Sequence, residues 1–440
     1  MFMYTVPSSP ALESVKESRS VYKSMQNKLQ HSWRRPAIFM LIVVMMGSLF
    51  FSRALLSMAM MAFVAVSFFH KEYKQQLSAF FASPLLWGMS LLFFIPALSG
   101  FWSADKNEWA DILRIKLPLL FLPLAFAGSP GGYGDWFNKK QWEWLGYIFI
   151  GLVTAGTSWS MFHYVWHIAE VNASYLQAKT MLTPLGNDHI RFSWLVSVSI
   201  LLAGRLIIIK RKEAKGIIAV LAVTALWLIV FLHLLAARTG LFSFYIMVTG
   251  LACWLLTKKI RWQFGLVLLA SLLAMPLIAY KTIASFHNRV QYFLYDKSFF
   301  EKAQYLPGSN DGARILSLKG GWHVMNDHPL TGVGFGDVLA ATKKWYVEKY
   351  PTMIETDKIY PSSEWLLYGA ACGWPGFLLF SIVMLAPFLI KTKKKGSWYL
   401  LNATAAFSFL FDIGLEVQFG VFIYSFIILW WWKWLNAEKM

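Results

Sequence analysis

The sequence predicts an all-α, polytopic membrane protein with about twelve transmembrane helices and one long extracytoplasmic loop bearing short interfacial helices. Three observations predict it. Hydrophobic residues make up 57% of the chain and charged residues 15%, against roughly 25% charged in a soluble domain. The apolar residues gather in repeated blocks of roughly 17–25 residues, the length that crosses a bilayer. Lysine and arginine alternate between successive loops, rich in one and poor in the next, as membrane orientation requires. The blocks do not alternate residue by residue, so a barrel is excluded, and helix satisfies the backbone inside lipid.

The expected spans are 37–52, 54–70, 84–102, 115–128, 144–165, 191–209, 217–236, 240–257, 262–280, 365–390, 397–413 and 417–434. Basic residues cluster at 70–76, at Lys139 and Lys140, at 210–215, at 258–261 and at 391–395. These loops are read as cytoplasmic, with both termini on the same side. The organisation that follows is a basic cytoplasmic tail at 1–36, helices 1–9 over 37–280, an outer loop at 281–364, and helices 10–12 with a short C-terminus over 365–440. The tail has no short apolar core ahead of a cleavage site, so the first apolar block is read as an anchor and not as a cleaved leader.

The formal net charge is +18. Its placement in short loops assigns it to topology, and nucleic-acid binding is excluded on that ground. Cys253 and Cys372 lie within apolar blocks, so no disulfide framework is expected. No Walker loop, dinucleotide fingerprint or zinc spacing occurs, and neither metal nor cofactor is expected.

Several arginines fall on the outer side, where the charge rule does not place them. Arg191 opens a helix in NDHIRFSW, Arg238 sits in AARTG between two apolar blocks, and Arg289 and Arg314 lie in the long loop. Ionisable groups at membrane depth mark functional sites or snorkel to the interface. A guanidinium stays charged and grips phosphate oxygens with two parallel bonds. A cluster of outward-facing arginines therefore suits a diphosphate, with interfacial anchoring as the alternative.

RILSLKGGWHVMNDHPLTGVGFGDV (314–338) reads as a helix ended by a turn at Pro329. Gly332, Gly334 and Gly336 permit either close approach to a ligand or a structural turn. Farther on, in PSSEWLLYG, Ser362 or Ser363 is expected to cap a helix with Glu364 in its first turn. His189, beside Asp188, is placed to act as a base or to hold a loop. Glu416 is expected to pair with one of the arginines.

The motifs NDHIRFSWLVSVSI, LLAARTGLFSF, HPLTGVGFGD and PSSEWLLYGAACGWPG, in that order with a long loop before the last, resemble the O-antigen ligase and polymerase superfamily of bacterial envelope glycosyltransferases. The motif resemblance spans roughly residues 180–425. It implies transfer or polymerisation of a glycan carried on undecaprenyl diphosphate, at the periplasmic face of the inner membrane. The acceptor would be a glycan, glycolipid or protein hydroxyl, and no metal would be needed. It assigns the diphosphate to Arg238 and Arg314, with Arg191 and Arg289 assisting and the glycines 332, 334 and 336 in the donor loop. Family ligases carry a His-Asn pair where this chain has Ser362-Ser363. Serine has no useful basicity near neutral pH, so the candidate bases are His189, His328 and Glu364. Two other readings stand beside this one: an envelope polysaccharide transporter or flippase, and an inactive relative with an assembly role.

Overall fold

A computed structural model describes residues 33–70, 72–128, 136–177, 179–212, 215–258, 261–301, 305–390 and 395–437. The basic N-terminal tail up to residue 32 lies outside them, as do 213–214, 259–260 and 391–394 of the basic loops. Every described regular element is helical. A helix covers each of the twelve apolar blocks. In order these are α1 (Trp33–Phe51), α2 (Arg53–Phe68), then α3 (Tyr73–Ala82), which follows as an addition, α4 (Pro84–Ser99), α5 (Lys106–Ala127) and α6 (Lys139–Trp166). Two short pieces, α7 (Ile168–Tyr175) and α8 (Pro184–Asn187), lead to α9 (His189–Lys210), α10 (Lys215–Leu235), α11 (Arg238–Leu256) and α12 (Trp262–Thr282). The long loop holds α13 (Ala284–Glu301), α14 (Asn310–Asp327) and α15 (Val338–Lys349). The chain closes with α16 (Glu364–Leu389), α17 (Lys395–Leu410) and α18 (Gln418–Ala437).

Seven of these helices are long and apolar enough to cross a membrane: α1, α6, α9, α10, α11, α12 and α16. Counting the bent α2–α3 pair as one span makes eight. The remaining apolar helices are shorter or more polar. The first half of α5 carries Lys106, Glu108, Asp111, Arg114 and Lys116. It begins nine residues before the apolar block because Asp105 caps it, its carboxylate accepting from the amides of Asn107 and Glu108, each at 3.0 Å.

The centre of the bundle is α18, which is buried around most of its circumference. Phe422, Phe426 and Trp430 repeat every four residues and stack along it, with centroids 5.1 and 6.4 Å apart. Against this centre pack α5 and α17. At the other extreme α12 buries only Gly265 and Ala279 and turns its apolar surface outward, as a lipid-facing helix does. Between them, α9 packs on α10 and α11, and α4 on α5 and α16.

Helix α14 runs alongside α16, in the same direction. Ser317 meets Ser362, Gly321 lies against Pro361 and Leu366, and Met325 against Gly369. Glycines at both 321 and 369 remove the side chains that would hold the two helices apart. The 281–364 segment has its own small core of Ala313, Leu316, Trp345, Tyr346 and Met353.

Candidate functional site

Helices α9, α11, α14 and α16 begin at one end of the bundle, beside the α17–α18 connection. Amides at a helix start are unpaired and carry partial positive charge, so several such starts together favour an anion. The same end collects the arginines.

At the start of α9, Asp188 is the N-cap, its Oδ1 accepting from the Arg191 amide at 3.1 Å. The Arg191 guanidinium then reaches Asp412 Oδ2 at 2.9 Å and the Ile413 carbonyl at 3.2 Å. Its Nε is buried and has no hydrogen-bond partner. This arginine ties α9 to the α17–α18 connection.

Arg238 opens α11 after a two-residue turn in which Ala236 takes a left-handed φ of 49°. Such a φ costs a non-glycine residue about 1 kcal/mol or more. The turn is held because Tyr175 Oη donates to the Leu235 carbonyl at 2.9 Å and Ser285 Oγ to the Leu234 carbonyl at 2.7 Å. Both terminal nitrogens of Arg238 are taken by the Asp311 carboxylate, Nη1 to Oδ1 at 2.6 Å and Nη2 to Oδ2.

Arg314 lies one turn beyond Asp311 on α14. Among the described residues its side chain makes no hydrogen bond or ion pair. Burial lowers its pKa from the ordinary arginine value, while the carboxylates of Asp412 and Asp311 oppose that shift. It lines a cleft of about 460 Å³ with Asn310, Lys358, Tyr360, Ser362 and Asp412. That volume is within the range of small-molecule sites. Arg289, on α13, has Nε and Nη1 buried without a hydrogen-bond partner. Its pKa too is lowered, first by burial and then by the neighbouring charge of Arg238. A buried guanidinium with unfilled donors is costly and marks a place where an acceptor belongs.

The four arginines are therefore brought into one cluster, and His189 joins it, acted on by the charges of Arg289, Arg314 and Arg191. Glu364 lies beside the same cluster, its charge acting on Arg191, and His328 lies away from it. Glu364 is fully buried, and its Oε1 accepts from the Leu415 amide at 2.5 Å. His328 is exposed at the far end of α14, about 20 Å from Arg314 along the helix axis.

Ser362 and Ser363 do not cap α16 through their hydroxyls. The Ser362 hydroxyl receives a hydrogen bond from Ser317 Oγ at 2.9 Å, and Ser363 Oγ points to the Phe409 carbonyl at 3.5 Å. The close packing of α14 and α17 supplies these nearer partners. Among the described residues Glu416 pairs with Lys116 and with no arginine: Lys116 Nζ lies 2.5 Å from its Oε1 and 3.0 Å from the Leu415 carbonyl. Lys116, Asp311 and Asp412 were not singled out from the sequence. For Lys116 a signal existed, a lysine at the edge of an apolar block.

The glycines 332, 334 and 336 do a structural task. Helix α16 breaks at Cys372 and Gly373, which frees the carbonyls of Ala370 and Ala371. The amides of Val333 and Gly334 fill them at 3.0 and 2.8 Å. Gly332 and Gly334 have φ of 64° and 87°, and a Cβ would meet the Ala371 backbone at the first and Ser103 at the second. At the third position a Cβ would meet the Asp105 carbonyl. The segment joins the break in α16 to the turn before α5. Among the described residues no group of three or more His, Cys, Asp or Glu side chains is arranged to hold a metal ion.

Helices of this length and composition define a multi-pass membrane protein. Residues 223–381 match the family model described as O-antigen ligase, which supports membership of the O-antigen ligase and polymerase superfamily. The match runs from α10 into α16, and so contains Arg238, Arg289, Arg314 and Ser362, while His189 and Arg191 precede it. It supports a glycan-processing membrane enzyme of the ligase or polymerase type. No curated protein matches the chain.

Proposed function

We propose that this protein transfers or polymerises a glycan from an undecaprenyl-diphosphate carrier onto an acceptor hydroxyl at the periplasmic face of the bacterial inner membrane. The observation that carries the reading is Arg314, whose side chain has no bonded partner among the described residues and lines a cleft within a cluster of four. In the reaction the acceptor oxygen bonds to the anomeric carbon, the bond from that carbon to the diphosphate oxygen breaks, and the diphosphate leaves with the electron pair. Arg314 and Arg289 meet the charge that develops on the leaving group. Preorganised donors at such a charge are usually the largest catalytic term. The acceptor proton goes to His189 or Glu364, the two candidate bases beside these arginines. The reading includes twelve spans, with both termini cytoplasmic and the arginine end outward. The lipid chain lies along the apolar flanks of the helices.

Transport is the second reading, and it expects ionisable groups at several depths along a central passage. The four arginines gather instead at the starts of α9, α11 and α14 and on α13, which favours chemistry at a rim.

The test is release of polyprenyl diphosphate from a lipid-linked glycan by the purified full chain, with an acceptor glycan present. Product formation is expected, and lipid-linked glycan that moves across the bilayer without cleavage would refute the reading. His328→Ala is expected to keep activity within about twofold of the parent, since surface changes away from special features are nearly neutral. A large loss would return His328 to the list of bases.

A further inference from the structure

We infer that the Tyr360 hydroxyl, held by Glu108, recognises a sugar hydroxyl in the cleft and so binds the glycan and not the diphosphate. The inference rests on the reading of the cleft as the donor site. Its first support is the direction of one hydrogen bond. Tyr360 lines the cleft with Arg314, and its Oη donates to Glu108 Oε1 at 2.6 Å. A phenol has a single proton, and a carboxylate oxygen accepts it. What the Tyr360 oxygen has left is lone-pair density, so toward any further partner it accepts. Donation to a carboxylate also makes that oxygen a stronger acceptor, because hydrogen bonds in a chain polarise one another. Burial, and then the bond to Glu108, raises the Tyr360 pKa above the ordinary phenol value, so the proton stays on the oxygen.

The second support is what such an oxygen selects. Ionised phosphate oxygens accept and offer it no proton, and the Glu108 carboxylate behind it disfavours an anion. A sugar hydroxyl can donate to it. The other charged groups of the wall, apart from Arg314, are engaged: Lys358 Nζ lies 2.5 Å from Glu355 Oε1, and Asp412 Oδ2 lies 2.9 Å from Arg191. Arg314 and Tyr360 therefore give one cleft a cationic part for the leaving diphosphate and an accepting part for a glycan.

The third support is that the ring is fixed. Asp105 caps α5 by accepting from the Glu108 amide at 3.0 Å, which sets Glu108 in the first turn. The backbone on both sides of Tyr360 is tied to other parts of the chain. Tyr346 Oη donates to the Ile359 carbonyl at 3.0 Å, and the Ser362 amide donates to Ser317 Oγ at 3.0 Å. Pro361 further restricts the backbone of the residue before it, which is Tyr360. What remains free is the rotation of the ring and its hydroxyl, and Glu108, 252 positions away, sets it. Glu108 is thus a positioning residue, acting through the tyrosine.

The experiment measures binding of two probes to the purified full chain, per folded protein: polyprenyl diphosphate without sugar, and the same carrier bearing its glycan. Turnover against acceptor-glycan concentration is measured beside them. Tyr360→Phe keeps the ring and removes only the oxygen. It is expected to weaken binding of the glycan-bearing carrier by about tenfold, the size of one well-made hydrogen bond, and of the sugar-free carrier by less than about twofold. That result would assign the hydroxyl to the donor sugar. Unchanged binding of both carriers, with an acceptor KM raised about tenfold, would assign it to the acceptor sugar and support the inference equally. Glu108→Ala is expected to reproduce whichever loss is seen. Glu108→Gln, whose amide oxygen still accepts the phenol proton, should restore most of it. Added to Tyr360→Phe, Glu108→Ala should cost less than about a further twofold, because residues that act through one another are not additive. Equal weakening of both carriers in Tyr360→Phe would overturn the inference. So would unchanged binding together with an unchanged acceptor KM. If the parent neither binds the carrier nor releases it from a glycan, the proposed function fails and the inference with it. A failure confined to the Tyr360 and Glu108 variants of an active parent leaves that function standing.

Discussion

Arg314→Ala is expected to lower glycan transfer by about 10²–10³-fold, the usual loss when one preorganised donor to a developing negative charge is removed. Its membrane level should match the parent's. The reasoning combines two facts that separately would say less. Among the described residues the Arg314 side chain makes no ion pair or hydrogen bond, so its removal breaks no such contact. It nevertheless lines the cleft, among groups that lower its pKa through burial and adjust it through Asp412 and Asp311. A guanidinium kept out of water without a bonded carboxylate is expensive for stability alone, and a site that gains function from it explains the expense. Arg314→Lys should fall between the parent and the alanine variant, because an ammonium keeps the charge and loses the planar fork. Turnover by quantitative release of polyprenyl diphosphate is the measurement. Parental activity in Arg314→Ala would remove the centre of the proposed site.

How much of this was legible beforehand depends on whether the signal was local. The helices were legible because an apolar block long enough for lipid is written in consecutive residues, and all twelve blocks became helix. Their ends were less so. The start of α5 was missed because its first turns are polar and depend on Asp105 as a cap. The arginines stood out because each violates the charge rule where it sits. Their partners were not legible, since Arg238 meets Asp311 across 73 positions and Arg191 meets the 412–413 turn across 222. Without those partners, Arg238 and Arg314 looked equivalent. Only the packed structure shows that Arg238 meets a carboxylate at hydrogen-bond distance and that Arg314 does not among the described residues. The glycine block shows the same limit. Its spacing is compatible with a ligand turn, and the helix break it bonds to lies forty residues later, at Cys372 and Gly373.

A fully buried charge at this end of the bundle yields the largest expected effect on stability. Lys116 is fully buried on α5 and bonds both Glu416 and the Leu415 carbonyl. The rings of Tyr368 and Phe335 flank it at 5.3 and 5.4 Å. Glu364 holds the other side of the same turn through the Leu415 amide. Lys116→Met keeps the length of the side chain and removes the charge, leaving Glu416 beside a second buried carboxylate with no cation. Breaking a buried pair from one side costs about 3–5 kcal/mol, whereas removing both partners is far milder. The single variant should therefore show a clearly lower apparent Tm in detergent, and Lys116→Met with Glu416→Gln should recover most of the loss. The effect should reach the site as well. The 412–416 turn that Lys116 anchors carries Asp412, which lines the cleft and pairs with Arg191. Weaker donor binding is expected in the single variant even at temperatures where it stays folded. Unchanged Tm in Lys116→Met, or no recovery in the double variant, would show that the carboxylates below the cleft do not depend on this lysine. The positioning of Asp412 would then have to be sought in Arg191 alone.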